Sequence, residues 1–512
     1  MRLIKIKLLD KYKIFQKDQE FSFGENSIIG IVGINGSGKS ILLELISNVF
    51  IEASNQITQE SYLSTFGYEM TYTLKMDHMI HGTVSGIGGN WEGSEYVTVR
   101  MFSDKTVFKM WISNGLEEFE INKINHYYVF LPRKVVVYSS GHNEGVSDEI
   151  INYKLYSLIE KDSRKIKKNG IGEVINKGVL DRYNEVFFYF DDIISKLAIL
   201  TAFLFKTDKA DILSQFIDRV LVKSFKLRID RNDIYGEEIY FDDKAAYLLN
   251  EILKLDYTVH TNENGFEYSE FLIGENAEKA SFELLSFFEG LQRLHDYNIY
   301  KVKKKTRKKI ICGKEIHKKS LIDWNVANHR VFELLEMTLK VGDKPELNLK
   351  DLSDGEYQVL QIMSIMSIFS GGNILFLLDE PETHFNPSWK SLFVSNLHSL
   401  LDADSQIVFT SHNPEVITDL PRASVVSMKS GIQYDLQIET FGANPNMISA
   451  NLFDKRNTVS KLAKNKIDEF RDKINHMQTR EELEILKTEI EKTLGDSSER
   501  LMLIIEIQKK VI

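Results

Sequence analysis

The sequence predicts an α/β fold built on a sheet of parallel strands, and three observations carry that prediction. Residues Ile28-Ile29-Gly30-Ile31-Val32 form a short β-branched run that opens into Gly33-Ile34-Asn35-Gly36-Ser37-Gly38-Lys39-Ser40 and then into the helical pattern Ile41-Leu42-Leu43-Glu44-Leu45-Ile46. Behind Gly371-Gly372, residues 373–378 form a nearly continuous apolar run that ends in the paired carboxylates Asp379-Glu380. A third run, Ile407-Val408-Phe409-Thr410-Ser411, ends in His412. Unbroken apolar strands of this kind belong at the centre of a parallel sheet, where both faces are covered.

With 512 residues, 43% hydrophobic and 27% charged, and only 7 prolines, the chain has the composition of a globular protein with room for about two to four domains. A formal net charge of -10 excludes a general positive field, so any nucleic-acid contact requires a local patch. The single cysteine, Cys312, excludes an internal disulfide framework and a Cys-rich zinc site, and it fits a reducing compartment such as the cytoplasm. The opening Met1-Arg2-Leu3-Ile4-Lys5-Ile6-Lys7 alternates like a strand and lacks the apolar block of a secretory signal. The longest apolar stretches, near Ile193–Phe205 and Ile362–Phe369, are interrupted and fall short of the roughly 20 residues a bilayer requires, so no membrane span is expected.

The first strand, glycine loop and helix match the P-loop pattern. Gly33, Gly36 and Gly38, with Asn35 and Ser37 between them, allow backbone N–H groups to turn inward on phosphate oxygens, and the helix N-terminus adds its positive dipole. Lys39 is placed to reach the β and γ phosphates of ATP, and the Ser40 hydroxyl to ligate Mg²⁺. The carboxylates after residue 378 emerge at the C-terminal edge of a parallel strand, where ligands of open α/β sheets bind. There Asp379 can hold Mg²⁺ through water and Glu380 can polarise the attacking water.

Just upstream of these carboxylates stands Leu352-Ser353-Asp354-Gly355-Glu356, and just downstream stands His412. In this order the segments resemble the signature loop, Walker B strand and switch histidine of ABC-type ATPases, with 33–40 resembling their Walker A. The resemblance implies an ATP-hydrolysing head, with an antiparallel β subdomain beside its mixed central sheet. It further implies a homodimer or higher oligomer with composite sites, in which Ser353 and Gly355 contact the γ-phosphate held by a partner and His412 senses that phosphate. A satisfied histidine at a strand end is the plainer account of His412.

More than 300 residues separate Ser40 from Ser353, far more than in transporter ATPases, and Glu356 stands where their LSGGQ motif has glutamine. The segment Asp379-Glu380-Pro381-Glu382-Thr383-His384-Phe385-Asn386-Pro387 is similar to the DEPExHLHP segment of RecF-, SMC-like and OLD-like ATPases. Residues 131–144, Leu-Pro-Arg-Lys through His-Asn-Glu, resemble a segment of compact bacterial defence ATPases, restriction-associated or of the Septu (PtuA-like) type. Phe441-Gly442-Ala443-Asn444-Pro445 resembles OLD-like proteins as well. Two departures stand out. No glutamine marks the Q-loop, whose position Ser139 to Asn143 occupies, and the aspartate loop of transporters is missing after Pro387, so that Thr383 to Asn386 are left for cross-dimer signalling. Tyr12 or Phe15 either stacks on adenine or belongs to the core.

The expected organisation is an N-terminal half of the head at 1–148, a mainly helical insertion at 149–324, a C-terminal half at 325–455 and a short helical tail at 456–512. Alternation through Phe66, Tyr68, Met70, Tyr72, Leu74 and Met76, and through Val97, Val99 and Met101, marks the antiparallel subdomain. Thr479-Arg480-Glu481-Glu482 reads as a capping box in the tail. No heptad run or nuclease constellation is found; Asp77-His78 and His81 read as exposed polar residues of a strand rather than ligands. The basic run Lys301, Lys303, Lys304, Lys305, Arg307, Lys308, Lys309, Lys314, Lys318 and Lys319, and the smaller Arg164, Lys165, Lys167 and Lys168, are either phosphate-gripping or solvated. The expectation that follows is the ATPase subunit of a prokaryotic antiphage system acting with a separately encoded nuclease, expected to be HNH-type. The alternative is a RecF/SMC-like DNA-maintenance ATPase that clamps DNA.

Overall fold

The computed structural model describes residues 1–58, 64–122, 124–141, 186–204, 220–233, 235–261, 267–273, 283–301, 303, 330–453 and 460–511. The calls on His142, Asn143 and Glu144, on Arg164 to Lys168, on Cys312 and on the basic residues from Lys304 to Lys319 lie outside the described residues. Two compact units divide the chain, Met1–Ala443 and Asn444–Ile512.

The first unit is organised by a seven-stranded sheet. Its order is β18 (Ile432–Tyr434), β17 (Val425–Lys429), β3 (Ile28–Val32), β16 (Gln406–Ser411), β15 (Ile374–Asp379), β8 (Lys134–Ser139) and β9 (Phe187–Phe190). All neighbours run parallel except the β17–β18 pair. Strands β3, β15 and β16 are buried at every position, as their unbroken apolar runs require. The register sets Asp379 opposite Thr410 on one side and Ser139 on the other, and Ser411 opposite Val32. Four parallel strands therefore deliver their last residues to one edge of the sheet.

The antiparallel subdomain is a six-stranded sheet, ordered β2 (Glu20–Ser22), β1 (Arg2–Leu8), β4 (Tyr68–Lys75), β5 (Tyr96–Ser103), β6 (Phe108–Ser113) and β7 (Glu118–Glu120). Tyr68, Met70, Tyr72 and Leu74 face inward in strict alternation, and Val97, Val99 and Met101 do the same one strand away. Helix α1 (Lys39–Thr58) buries Leu42, Leu43, Leu45, Ile46, Val49 and Phe50 in one core shared with both sheets. A helix covered on all sides is held by packing, which makes its N-terminus a fixed point. Asp77 and His78 are not in a strand: Asp77 caps a short helix, α2 (His78–Val84), by accepting from the Ile80 N–H at 2.8 Å.

Among the described residues of 149–324, the helices α3 (Asp192–Leu204), Asp243–Ile252 and α4 (Leu284–Asp296) stand among strands, of which β9 belongs to the main sheet. A five-stranded antiparallel sheet, β11 (Tyr257–Thr261), β12 (Glu267–Leu272), β10 (Val220–Ile229), β13 (Phe332–Val341) and β14 (Leu347–Asn348), crosses the expected boundary at 324. β10 and β13 pair over nearly their whole length with two bulges, so local periodicity around them is broken and reads poorly as strand. Lys301 also departs from the expected basic patch. It is buried and paired with Asp230 at 2.6 Å, so its charge is consumed internally.

The second unit begins with α5 (Pro445–Leu452), earlier than the expected 456, and continues as α6 (Lys461–His476), α7 (Arg480–Thr493) and α8 (Ser498–Val511). The Thr479–Glu482 capping box is formed in both directions. Ile467, Phe470, Ile474, Leu483, Leu486, Ile490, Leu503 and Ile507 make a core of their own. Phe470→Ala is expected to remove about 3–5 kcal/mol from this small core. Amide exchange should then lose protection across 460–511 while ATP binding is retained.

Candidate functional site

The glycine loop is shaped by what surrounds it. A methyl group at Gly33 (φ +154°) would lie 2.2 Å from the Met428 carbonyl oxygen, and one at Gly38 (φ +99°) would lie 2.8 Å from Ile14 Cδ1. Neither position has room for a side chain, and both backbones favour glycine. Asn35 and Gly36 are exposed at the tip, whereas Ser37, Gly38 and Lys39 are buried. Lys39 Nζ donates to the carbonyls of Gly33 at 3.0 Å and Ile34 at 3.3 Å, folding back over the loop. Burial lowers its pKa, against the attraction of Glu380, Asp379 and Glu382. The buried Ser37 hydroxyl has no partner. A curled lysine, a buried hydroxyl without a partner among the described residues and a loop turned on glycines at 33, 36 and 38 together fit a polyphosphate.

The adjoining strand ends close the site. Ser40 Oγ donates to Asp379 Oδ1 at 2.8 Å, and Thr410 Oγ1 donates to the same oxygen at 2.6 Å. The Ser139 hydroxyl lies 3.5 Å from Asp379 Oδ2, so the residue at the Q-loop position faces the carboxylate. Among the described residues no group of three or more His, Cys, Asp or Glu could hold a metal. The donor set is thus hydroxyl plus carboxylate, which suits Mg²⁺, an ion that keeps several waters and takes phosphate oxygens.

Glu380 follows in the left-handed region at φ +49°. A non-glycine residue there is strained and persists only because its surroundings fix it. Its N–H donates to Thr410 Oγ1 at 2.9 Å, and its carbonyl accepts from Thr383 Oγ1 at 2.8 Å. Its carboxylate meets His412 Nδ1 at 3.3 Å. That bond is the main reason Glu380 sits below and His412 above their ordinary pKa values. The pair is intact below the raised pKa of His412 and is lost as pH rises through it; on the acid side it is lost as pH falls through the lowered pKa of Glu380.

Ser353 caps the signature helix, α9 (Asp354–Ile368), in a reciprocal box with Glu356, and is exposed. Gly355 is buried against the following loop, where a methyl group would lie 2.7 Å from the His384 carbonyl oxygen. The structure thus brings Lys39, Ser40, Asp379, Glu380 and His412 to one sheet edge, and holds Ser353 and Gly355 on a separate helix tip.

The sequence placed Ser139 at the Q-loop position but gave Thr410 no role; strand register sets both beside Asp379. Tyr12 and Phe15 both go to the core side of the ambiguity: Tyr12 bonds Glu44 and Asn48 at 2.9 and 2.7 Å, and Phe15 is fully buried against Phe21. Ile14, 43% exposed, is the apolar side chain beside Gly38. Glu382 is buried, accepts a short hydrogen bond from the Ser411 hydroxyl, and leaves its second oxygen without a partner. Burial pushes it up to about 7.

Two family models match the chain: one described as ABC transporter over residues 16–141, the other as AAA domain, putative AbiEii toxin, Type IV TA system over residues 314–418. Protein ea59 of Escherichia phage lambda is 30% identical over 116 residues, 22% of this chain and 22% of that protein, so the chain matches about a fifth of its curated relative. Among solved structures, the SMC head domain from Thermotoga maritima is 11% identical with a TM-score of 0.33, covering 86% of this chain and 100% of that one. An Smc head bound to the C-terminal domain of ScpA, derived from Pyrococcus furiosus, is 13% identical with a TM-score of 0.33, covering 86% and 96%. An SmcHead bound to the C-winged helix domain of ScpA is 12% identical with a TM-score of 0.36, covering 86% and 98%. Each model covers under half of the chain; the first spans the glycine loop with Lys39 and Ser40, and the second spans Ser353, Asp379, Glu380 and His412. No helix among the described residues is long and apolar enough to cross a membrane.

Because the raised Glu382 binds a proton in the fold that it releases when unfolded, its contribution is full below about pH 4.5 and is lost as pH rises through about 7. Glu382→Gln should therefore match the native protein in urea unfolding near pH 4.5 and exceed it by a growing margin up to pH 8. A constant difference across that range would contradict the assignment.

Proposed function

We propose that two copies of this chain meet face to face around ATP, each supplying the glycine loop for one nucleotide and the Ser353 tip for the other. The observation that carries the reading is the arrangement just described. The phosphate loop, Asp379, Glu380 and His412 share one edge, while the exposed Ser353 hydroxyl sits on a helix N-terminus facing outward. A helix N-terminus suits the charge of a γ-phosphate, and the Ser353 hydroxyl, held in the capping box with Glu356, would turn from that carboxylate to meet it.

In each site Lys39 uncurls from the Gly33 and Ile34 carbonyls to meet the phosphates. Ser40 and Asp379 would hold Mg²⁺ when it enters with the nucleotide, with Ser139 in reach of the same carboxylate. The ion supplies charge neutralisation at the phosphate oxygens. Glu380 accepts the proton of the attacking water, and His412, paired with it, orients the terminal phosphate. Gly33, Asn35, Gly36, Ser37 and Gly38 line the cradle, and Gly355 lets the tip approach.

The assembly acts as the ATPase component of a prokaryotic antiphage system and controls a separately encoded nuclease, in the manner of OLD-like and Septu-type ATPases. What supports this is the match at 314–418 to the family described as AAA domain, putative AbiEii toxin, Type IV TA system. Purification from the native host should recover a nuclease; recovery of a recombination-repair complex alone would contradict the defence role.

Glu380→Gln is expected to slow hydrolysis by about 10²–10⁴-fold and to trap an ATP-bound dimer, seen as a doubling of mass on adding ATP. Unchanged hydrolysis would remove Glu380 from the role of base. Lys39→Ala should lose both nucleotide binding and the ATP-dependent mass change.

A further inference from the structure

Gln358 lies one turn inside the signature helix, 2% exposed, and its amide is used at both ends. The oxygen accepts from the His384 N–H at 2.9 Å, and the nitrogen faces the Tyr138 hydroxyl at 3.5 Å. Tyr138 in turn donates to Gln361 at 3.1 Å, one turn further along the same helix. His384 is held at its other end too, because its carbonyl oxygen lies flush against Gly355, with no space for a methyl group between them. The two peptides that flank His384 in the Walker B loop are thus held by the start of the helix that Ser353 caps, one by the Gln358 amide and the other against Gly355.

That loop leads directly to the chemistry. Thr383, next to His384, donates to the Glu380 carbonyl, and its hydroxyl lies 3.3 Å from that of Ser140. Tyr138 is followed by Ser139, which faces Asp379. The amide of Gln358 therefore joins the helix tip to both sides of the protomer's own site through short covalent stretches.

We infer that Gln358 is a positioning residue that couples the two half-sites of a protomer, transmitting engagement of Ser353 with the partner's nucleotide to Glu380 in its own site. The inference rests on the composite-site reading above. An ordinary buried polar residue would serve stability alone. A coupling residue must instead combine an acceptor for His384 with a donor toward Tyr138, and must affect turnover apart from nucleotide binding.

Gln358→Leu keeps the volume and removes both bonds. In the full chain, kcat is expected to fall about tenfold, with KM and the affinity for a fluorescent ATP analogue within about twofold of native. Combined with Glu380→Gln it should still dimerise on ATP. Tyr138→Phe, which deletes one hydroxyl and leaves the His384 bond, should lower kcat about threefold at unchanged KM and serves if the leucine variant does not fold. Turnover within twofold of native in a folded Gln358→Leu, or a parallel loss of affinity and turnover, would overturn the role of Gln358. Failure of Glu380→Gln alone to dimerise on ATP would instead sink the composite site on which it rests.

Discussion

The Asp379 carboxylate accepts from Ser40, at the start of helix α1, and from Thr410, on the neighbouring strand, residues 339 and 31 positions away in sequence. The Ser40 bond ties the glycine loop and its helix to the strand that ends in Asp379, and the Thr410 bond ties that strand to its neighbour. Each end of the contact is fixed independently: α1 by burial between two sheets, and the strand ends by a parallel ladder whose register sets Asp379 beside Thr410 and Ser139. Hydroxyl–carboxylate bonds of this kind are charge-assisted and short, and inside a protein they are stronger than in water. Geometry at the phosphate loop follows from sheet register more than from the loop itself.

Beyond that contact the site stores strain and charge. Glu380 occupies a left-handed backbone conformation, fixed from Thr410 on one side and Thr383 on the other, which aims its carboxylate at His412. Lys39 is held against two loop carbonyls by burial, and behind Glu380 lies the buried Glu382. Lys39 bonds carbonyls and not the nearby carboxylates, so it can turn to phosphate without breaking an ion pair.

The local motifs were legible in the sequence because each is short and its chemistry is backbone-driven. A strand, a glycine loop and a helix follow one another within 33–40 and its flanks, and the unbroken run before Asp379 can be buried in only one kind of sheet. The six-stranded subdomain was equally legible from period-two alternation at Tyr68 to Leu74. What escaped was set by pairing between distant segments. β9 and β10 read as part of a helical lobe because their partners, β8 and β13, lie on the far side of the expected boundaries. Thr410 and Gln358 carry no motif of their own; their importance comes from what the register and the helix packing place opposite them. Lys301 looked like part of a basic patch because Asp230, its partner, is 71 residues away.

The central claim is that each nucleotide is shared between two chains, and a complementation experiment addresses it most directly. Lys39→Ala disables the glycine loop and Ser353→Arg blocks the helix tip, so each variant alone should be inactive. When the two are mixed in equal amounts, each dimer that pairs one of each contains one site untouched by either change. Recovery of ATPase activity that neither variant has alone is the predicted result. Inactivity of the mixture despite proven exchange of subunits, or full activity of Ser353→Arg alone, would contradict the account.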